Sequence, residues 1–88
     1  MKTVFVKIES ENERLKDKTF EWSEDEKELL FCCAINFADG LVQGLELNGW
    51  RFGRPLVQPV DGYQWWASGV IIKVVNENGK IIRKPEDI

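Results

Sequence analysis

An α+β fold is predicted: an antiparallel sheet of about four strands packed on one long helix, ordered β-(β)-α-β-β-β, as a two-layer sandwich. Three observations carry that expectation. Residues 3–9 alternate apolar and polar side chains. A helical apolar pattern then runs from Ser23 to Asn48. After Gly49 the pattern turns to strands, with two Asx-Gly pairs as hairpin signals. At 88 residues the chain reads as a single domain, 1–88. A chain of that size buries roughly 60–65% of its unfolded surface, enough for one core layer between sheet and helix.

The first strand places Val4, Val6 and Ile8 on one face and Phe5, Lys7 and Glu9 on the other. Ser10 to Lys18 is polar and charged and reads as a loop. Thr19-Phe20-Glu21-Trp22 reads either as a short second strand or as an extended lead-in to the helix.

The helix carries its own start and stop signals. Ser23 stands as N-cap with Glu26 three residues on, the capping-box spacing. Glu24, Asp25 and Glu26 put negative charge where the helix dipole favours it. Gly49 is a ready residue for the left-handed turn that ends a helix. Glu28, Cys32, Asn36, Asp39, Gln43 and Glu46 form a narrow polar stripe, and the rest of the circumference is mostly apolar. An arc that wide exceeds what one small sheet covers: either loops such as the segment 10–22 wrap over the helix or another subunit does, and a homodimer is expected. Leu30, Phe31, Val42 and Leu45 are the residues assigned to its interface. Gly40 and Gly44, one turn apart, are read as packing on the chain's own sheet.

Beyond the helix, a meander of residues 52–60, 63–75 and 80–84 is expected. Asp61-Gly62 and Asn78-Gly79 would make its turns, the second as a type I′ hairpin with positive φ at both residues. Pro55 and Pro59 place the first of these strands at an edge or outside the sheet. Gly69 inside the long strand suggests a bulge.

Composition narrows the function classes. The formal net charge is −3, with acids concentrated before residue 48 and bases in the majority after it. That balance makes nucleic acid an unlikely partner, since such binding depends on neutralising phosphates. Histidine is absent, so no histidine-based triad or metal site is available. Cys32 and Cys33 are adjacent and read as small apolar residues. No cofactor motif, phosphate-binding loop, metal-ligand cluster or membrane span is read, and a cytoplasmic location is expected. The polar helix stripe, with Asp39, Asn36 and Glu46, is read as solvated rather than catalytic, and Cys32 lacks a partner base. The acidic run from Glu21 to Glu28 is read as a helix start rather than a phosphate mimic.

The informative feature is aromatic. Trp65 and Trp66 are consecutive on a strand and must point to opposite faces. Trp65 shares a side with Tyr63 and Ala67 and is assigned to the core; Trp66 shares a side with Gln64 and Ser68 and is assigned to the surface. The expected binding set is Trp66, Trp50, Arg51, Arg54 and Lys73. The function expected is a small non-enzymatic protein-interaction module, such as an inhibitor or accessory factor. The alternative is a single-stranded nucleic-acid or small-ligand binder using the sheet aromatics with Arg and Lys.

Overall fold

The computed structural model describes residues 1–53 and 62–88. Its elements are β1 (Lys2–Ser10), a 3-10 turn (Glu13–Leu15), β2 (Lys18–Glu24), α1 (Lys27–Leu47), β3 (Gln64–Ala67), β4 (Val70–Asn76) and a second 3-10 turn (Pro85–Asp87). The four strands form one antiparallel sheet in the order β2-β1-β4-β3, with the helix on one face. This is the α+β architecture expected.

β1 alternates, and its alternation builds the core. Val4, Val6 and Ile8 face the helix, and Val6 and Ile8 lie opposite Val74 and Ile72 of β4. The helix answers with Leu30, Ala34, Ala38 and Val42, four residues apart and therefore on one stripe. Ala34 and Ala38 are small, which lets the helix axis lie close over β1. Full burial of a side chain such as Leu30 stabilises by about 1.5–3 kcal/mol.

The segment before the helix is a full strand. Phe20 and Trp22 stand opposite Val6 and Val4, so they join the helix side of the sheet. Their rings pack on Phe37 of α1, with centroids 4.8 and 4.6 Å away. This pairing overturns the expected helix cap. Strand pairing continues through Ser23, whose hydroxyl lies 3.0 Å from that of Thr3. The helix therefore starts at Lys27, with Glu26 as N-cap and no side-chain cap hydrogen bond. The helix end is as expected. Gly49 has φ +104; its N–H donates to Glu46 and that of Trp50 to Leu45, a Schellman closure.

The second half differs from the expected meander in three places. Residues 63–75 are two strands, because Ser68-Gly69 is a turn rather than a bulge; Ala67 pairs with Val70 and Gly69 has φ +75. The Asn78-Gly79 turn is not type I′, since only Gly79 has positive φ. Asn76 sets this turn: its carbonyl accepts from Gly79 N–H, and its side-chain oxygen accepts from the N–H groups of Asn78 and Lys80. Residues 80–84 do not form a strand; Ile81 bridges Val75, and Ile82 N–H donates to Val74 at 3.1 Å. Of the expected strand 52–60, Gly53 bridges Trp66 and residues 54–60 lie outside the described residues, as does Asp61 of the other turn.

By length and composition alone α1 is long and apolar enough to cross a membrane, contrary to the sequence reading. Its stripe of Leu30, Ala34, Ala38 and Val42, however, is packed on the sheet.

Two glycines separate packing from backbone demands. Gly62 is buried at φ +90, and a Cβ there would sit 2.9 Å from the Ile82 carbonyl oxygen. Gly40 sits in the helix with nothing within 4 Å of where its Cβ would be, and the same holds for Gly44. The expected packing of these two on the sheet is thus absent. Chemical denaturation should show Gly62→Ala destabilised by about 2 kcal/mol or more. Gly40→Ala should be stabilised by up to about 1 kcal/mol.

Asp87 ties down the last turn. Its Oδ2 accepts from the N–H of Arg83 at 2.7 Å and of Lys84 at 3.2 Å. The Arg83 hydrogen bond is the largest influence and lowers the carboxyl's pKa; desolvation, the next largest, opposes it, and the Lys84 hydrogen bond with the charges of Lys80 and Lys84 keeps the net shift downward. A folded pKa below the unfolded one means stability that is complete above the ordinary carboxylate value. It is lost as pH falls through the lower folded value. An NMR titration should show the Arg83 amide proton shifting in that acid range, and Asp87→Asn should abolish the step.

Candidate functional site

The face of the sheet away from the helix carries the candidate site. Register sets its rows. Trp66 of β3, Ile71 of β4 and Glu9 of β1 lie side by side across the sheet. The next row holds Gln64, Lys73, Lys7 and Thr19, and the one after it Val75, Phe5 and Glu21. Val75 is buried here beside Phe5 and the bridging Ile81, so the β4 side of this row is covered, while Glu21 on β2 stays exposed. The Trp66 end is open.

Strand geometry separates the two tryptophans as expected. Trp65 is 6% exposed, lies in the core and stacks at a tilt near Tyr63, 5.9 Å between centroids. Trp66 is 54% exposed. An open groove of about 710 Å³ runs past it, with Glu9, Glu11, Asp17, Gln64 and Ile71 among its walls. The groove exists because the connection after β1 folds back along the sheet. Glu11 N–H donates to the Gly69 carbonyl at 3.1 Å, and Asp17 Oδ1 accepts from Ser10 N–H at 2.9 Å.

Electrostatically the groove is acidic. Glu9, Glu11 and Asp17 bring three carboxylates. The nearest base on the face is Lys73, whose Nζ lies 2.7 Å from Glu9 Oε1. An exposed indole next to carboxylates suits a cation, which gains from both the ring's negative face and the charges. It suits a phosphate poorly.

The expected binding residues are not gathered into one surface. Trp66 and Lys73 share the outer face on neighbouring rows. Trp50 is half-buried and packs against the core, because the Schellman closure turns it back toward the sheet. Arg51 is exposed at a separate recess with Asn48, Gly49 and Ser68. Arg54 lies outside the described residues. The acidic wall was missed. Glu9 was readable from its position on the outer face of β1, but Glu11 and Asp17 depend on the fold-back of residues 11–17, for which the sequence has no periodic signal.

The expected interface residues are corrected as well. Leu30 and Val42 are fully buried under the chain's own sheet and have no surface left for a partner. Phe31 is half-buried, edge-on to Tyr63 at 5.5 Å, and Leu45 packs against the core. The aromatic side chains flanking the helix supply the cover that the sheet alone would lack. Leu29 and Leu47 are the large apolar side chains of α1 that remain exposed.

Elsewhere, Asp39 Oδ2 accepts from Gln43 Nε2 at 2.7 Å on the polar stripe, and Cys32 is exposed on the same side. Among the described residues no group of three or more Cys, Asp or Glu side chains is placed to hold a metal ion. Comparison with protein-family models, with curated proteins and with solved structures finds no match to this chain.

The two tryptophans should respond differently to truncation. Trp65→Ala should cost about 3–5 kcal/mol of stability. Trp66→Ala should fall within roughly 1 kcal/mol of wild type in the same denaturation experiment. Equal, severe losses would show both rings to be structural.

Proposed function

We propose that this chain is a non-enzymatic protein-interaction module that binds a partner protein through the outer sheet face around Trp66. The observation that carries this reading is the indole that stands exposed at the open end of this face. Tryptophan is among the residues that most often dominate binding energy, and it does so from recessed, easily dehydrated positions. The carboxylates of Glu9, Glu11 and Asp17 beside it favour a partner that presents Lys or Arg. Such a module acts by occupying a basic surface of its target, as an inhibitor or an accessory factor does. The same carboxylates weigh against single-stranded nucleic acid, because the stacking ring would bring phosphates up to negative charge.

The test is affinity capture from the native host with wild-type and Trp66→Ala protein side by side. A bound protein should be retained by wild type and by Leu47→Ala, and Trp66→Ala should weaken its binding by about 2 kcal/mol or more. Capture that is unchanged in Trp66→Ala would place the binding surface elsewhere.

A further inference from the structure

The sheet ends on one side at β2, and among the described residues no strand pairs with its outer edge. Edge strands are usually kept short, broken by proline or bulges, or given charged side chains, since open backbone groups invite pairing. β2 is seven residues long, Lys18–Glu24, with no proline, and it pairs with β1 without interruption of register. Its charges are placed with a symmetry of their own.

We infer that two copies of this chain join edge to edge, β2 against β2 in antiparallel pairing, to form one continuous sheet of eight strands. The register that pairs the whole strand has its two-fold axis at Glu21. It sets Lys18 opposite Glu24 of the second copy, Phe20 opposite Trp22, and Thr19 opposite Ser23. Each is a favourable cross-strand pair: opposite charges, two aromatic rings, two hydroxyl side chains. Each occurs twice by symmetry, against a single like-charge pair at Glu21. The charge complementarity is therefore with a second copy of this same strand.

The helix layer agrees with that assembly. Lys18, Phe20, Trp22 and Glu24 lie on the helix side of the sheet, and α1 lies over β1. Each helix would then stand about one and a half strand spacings from the axis, placing the two axes roughly 14 Å apart. Directly packed helices sit at about 8–10 Å. The intervening space is the width of a layer of side chains, and Phe20, Trp22 and Phe37 of each copy stand there, already in ring contact within one chain. This surface lies at the opposite end of the sheet from Trp66, so it succeeds or fails independently of the partner-binding reading.

The test is sedimentation equilibrium at high micromolar concentration, with far-UV circular dichroism to verify the fold of each variant. Wild type should dimerise. Lys18→Glu should weaken the dimer by about 10-fold or more, because two attractive pairs become repulsive. The double variant Lys18→Glu with Glu24→Lys should restore the affinity to within about 3-fold of wild type, since it exchanges the two members of each pair. Glu21→Gln should tighten the dimer by removing the like charges at the axis. A wild-type monomer throughout the concentration range would overturn the inference. So would a dimer that neither charge change perturbs, or a double variant no better than Lys18→Glu.

Discussion

β1 has a hydrogen-bonded neighbour on each side, so its period-two alternation sets the facing of every other strand. Val4, Val6 and Ile8 have to meet the helix, and that requirement determines which residues of β2 and β4 also turn inward. β4 in turn sets β3, and with it the choice between Trp65 and Trp66. A slip of one residue between two neighbouring strands would flip one of them, exposing its buried row and burying its outer one: Lys7 and Glu9 in β1, Lys73 in β4. The acidic groove is thus a by-product of core formation in its placement. Glu9 faces it because Ile8 cannot.

Much of this was legible. The alternation of β1, the existence of α1 and the glycine that closes it are local signals, and each appears where its physics says it should; only the start of α1 lies later than expected. The assignment of Trp66 outward and Trp65 inward needed only strand parity and the company each residue keeps. What failed was competition between signals. Ser23 is a good cap by composition, yet the alternating Phe20 and Trp22 bind the segment to β1, and one residue cannot be both strand and cap. Gly69 and Asn78-Gly79 were identified as irregular positions, but the kind of irregularity depends on side-chain bonds such as those of Asn76, which position-by-position preferences do not contain.

The width of the helix's apolar arc was the most misleading feature. Counting apolar residues around a helix treats the sheet as the cover. Here the cover comes also from rings that stand up at the sheet's flanks: Phe20 and Trp22 on one side, Tyr63 on the other. A two-layer domain with large side chains at its borders can wrap more than half of a helix. The fully buried residues of α1 are Ala34 and Ala38 together with Leu30 and Val42, although the last two were expected between subunits.

The central position of β1 also has a kinetic side. Val4 pairs with Asn76, so the middle of the sheet joins segments from nearly opposite ends of the 88 residues. The β1–β2 and β3–β4 hairpins and the helix are local and can form early. The β1–β2 hairpin can pack on α1 by itself, but the core is complete only when β1 finds β4, and that closure carries the loop entropy of the long segment between them. On a ribosome, β1 would wait through the synthesis of β2, α1 and β3 before its second neighbour emerged. During that interval its open side, with Val4, Val6 and Ile8 beside it, is the stretch of this polypeptide most in need of shelter from other nascent chains.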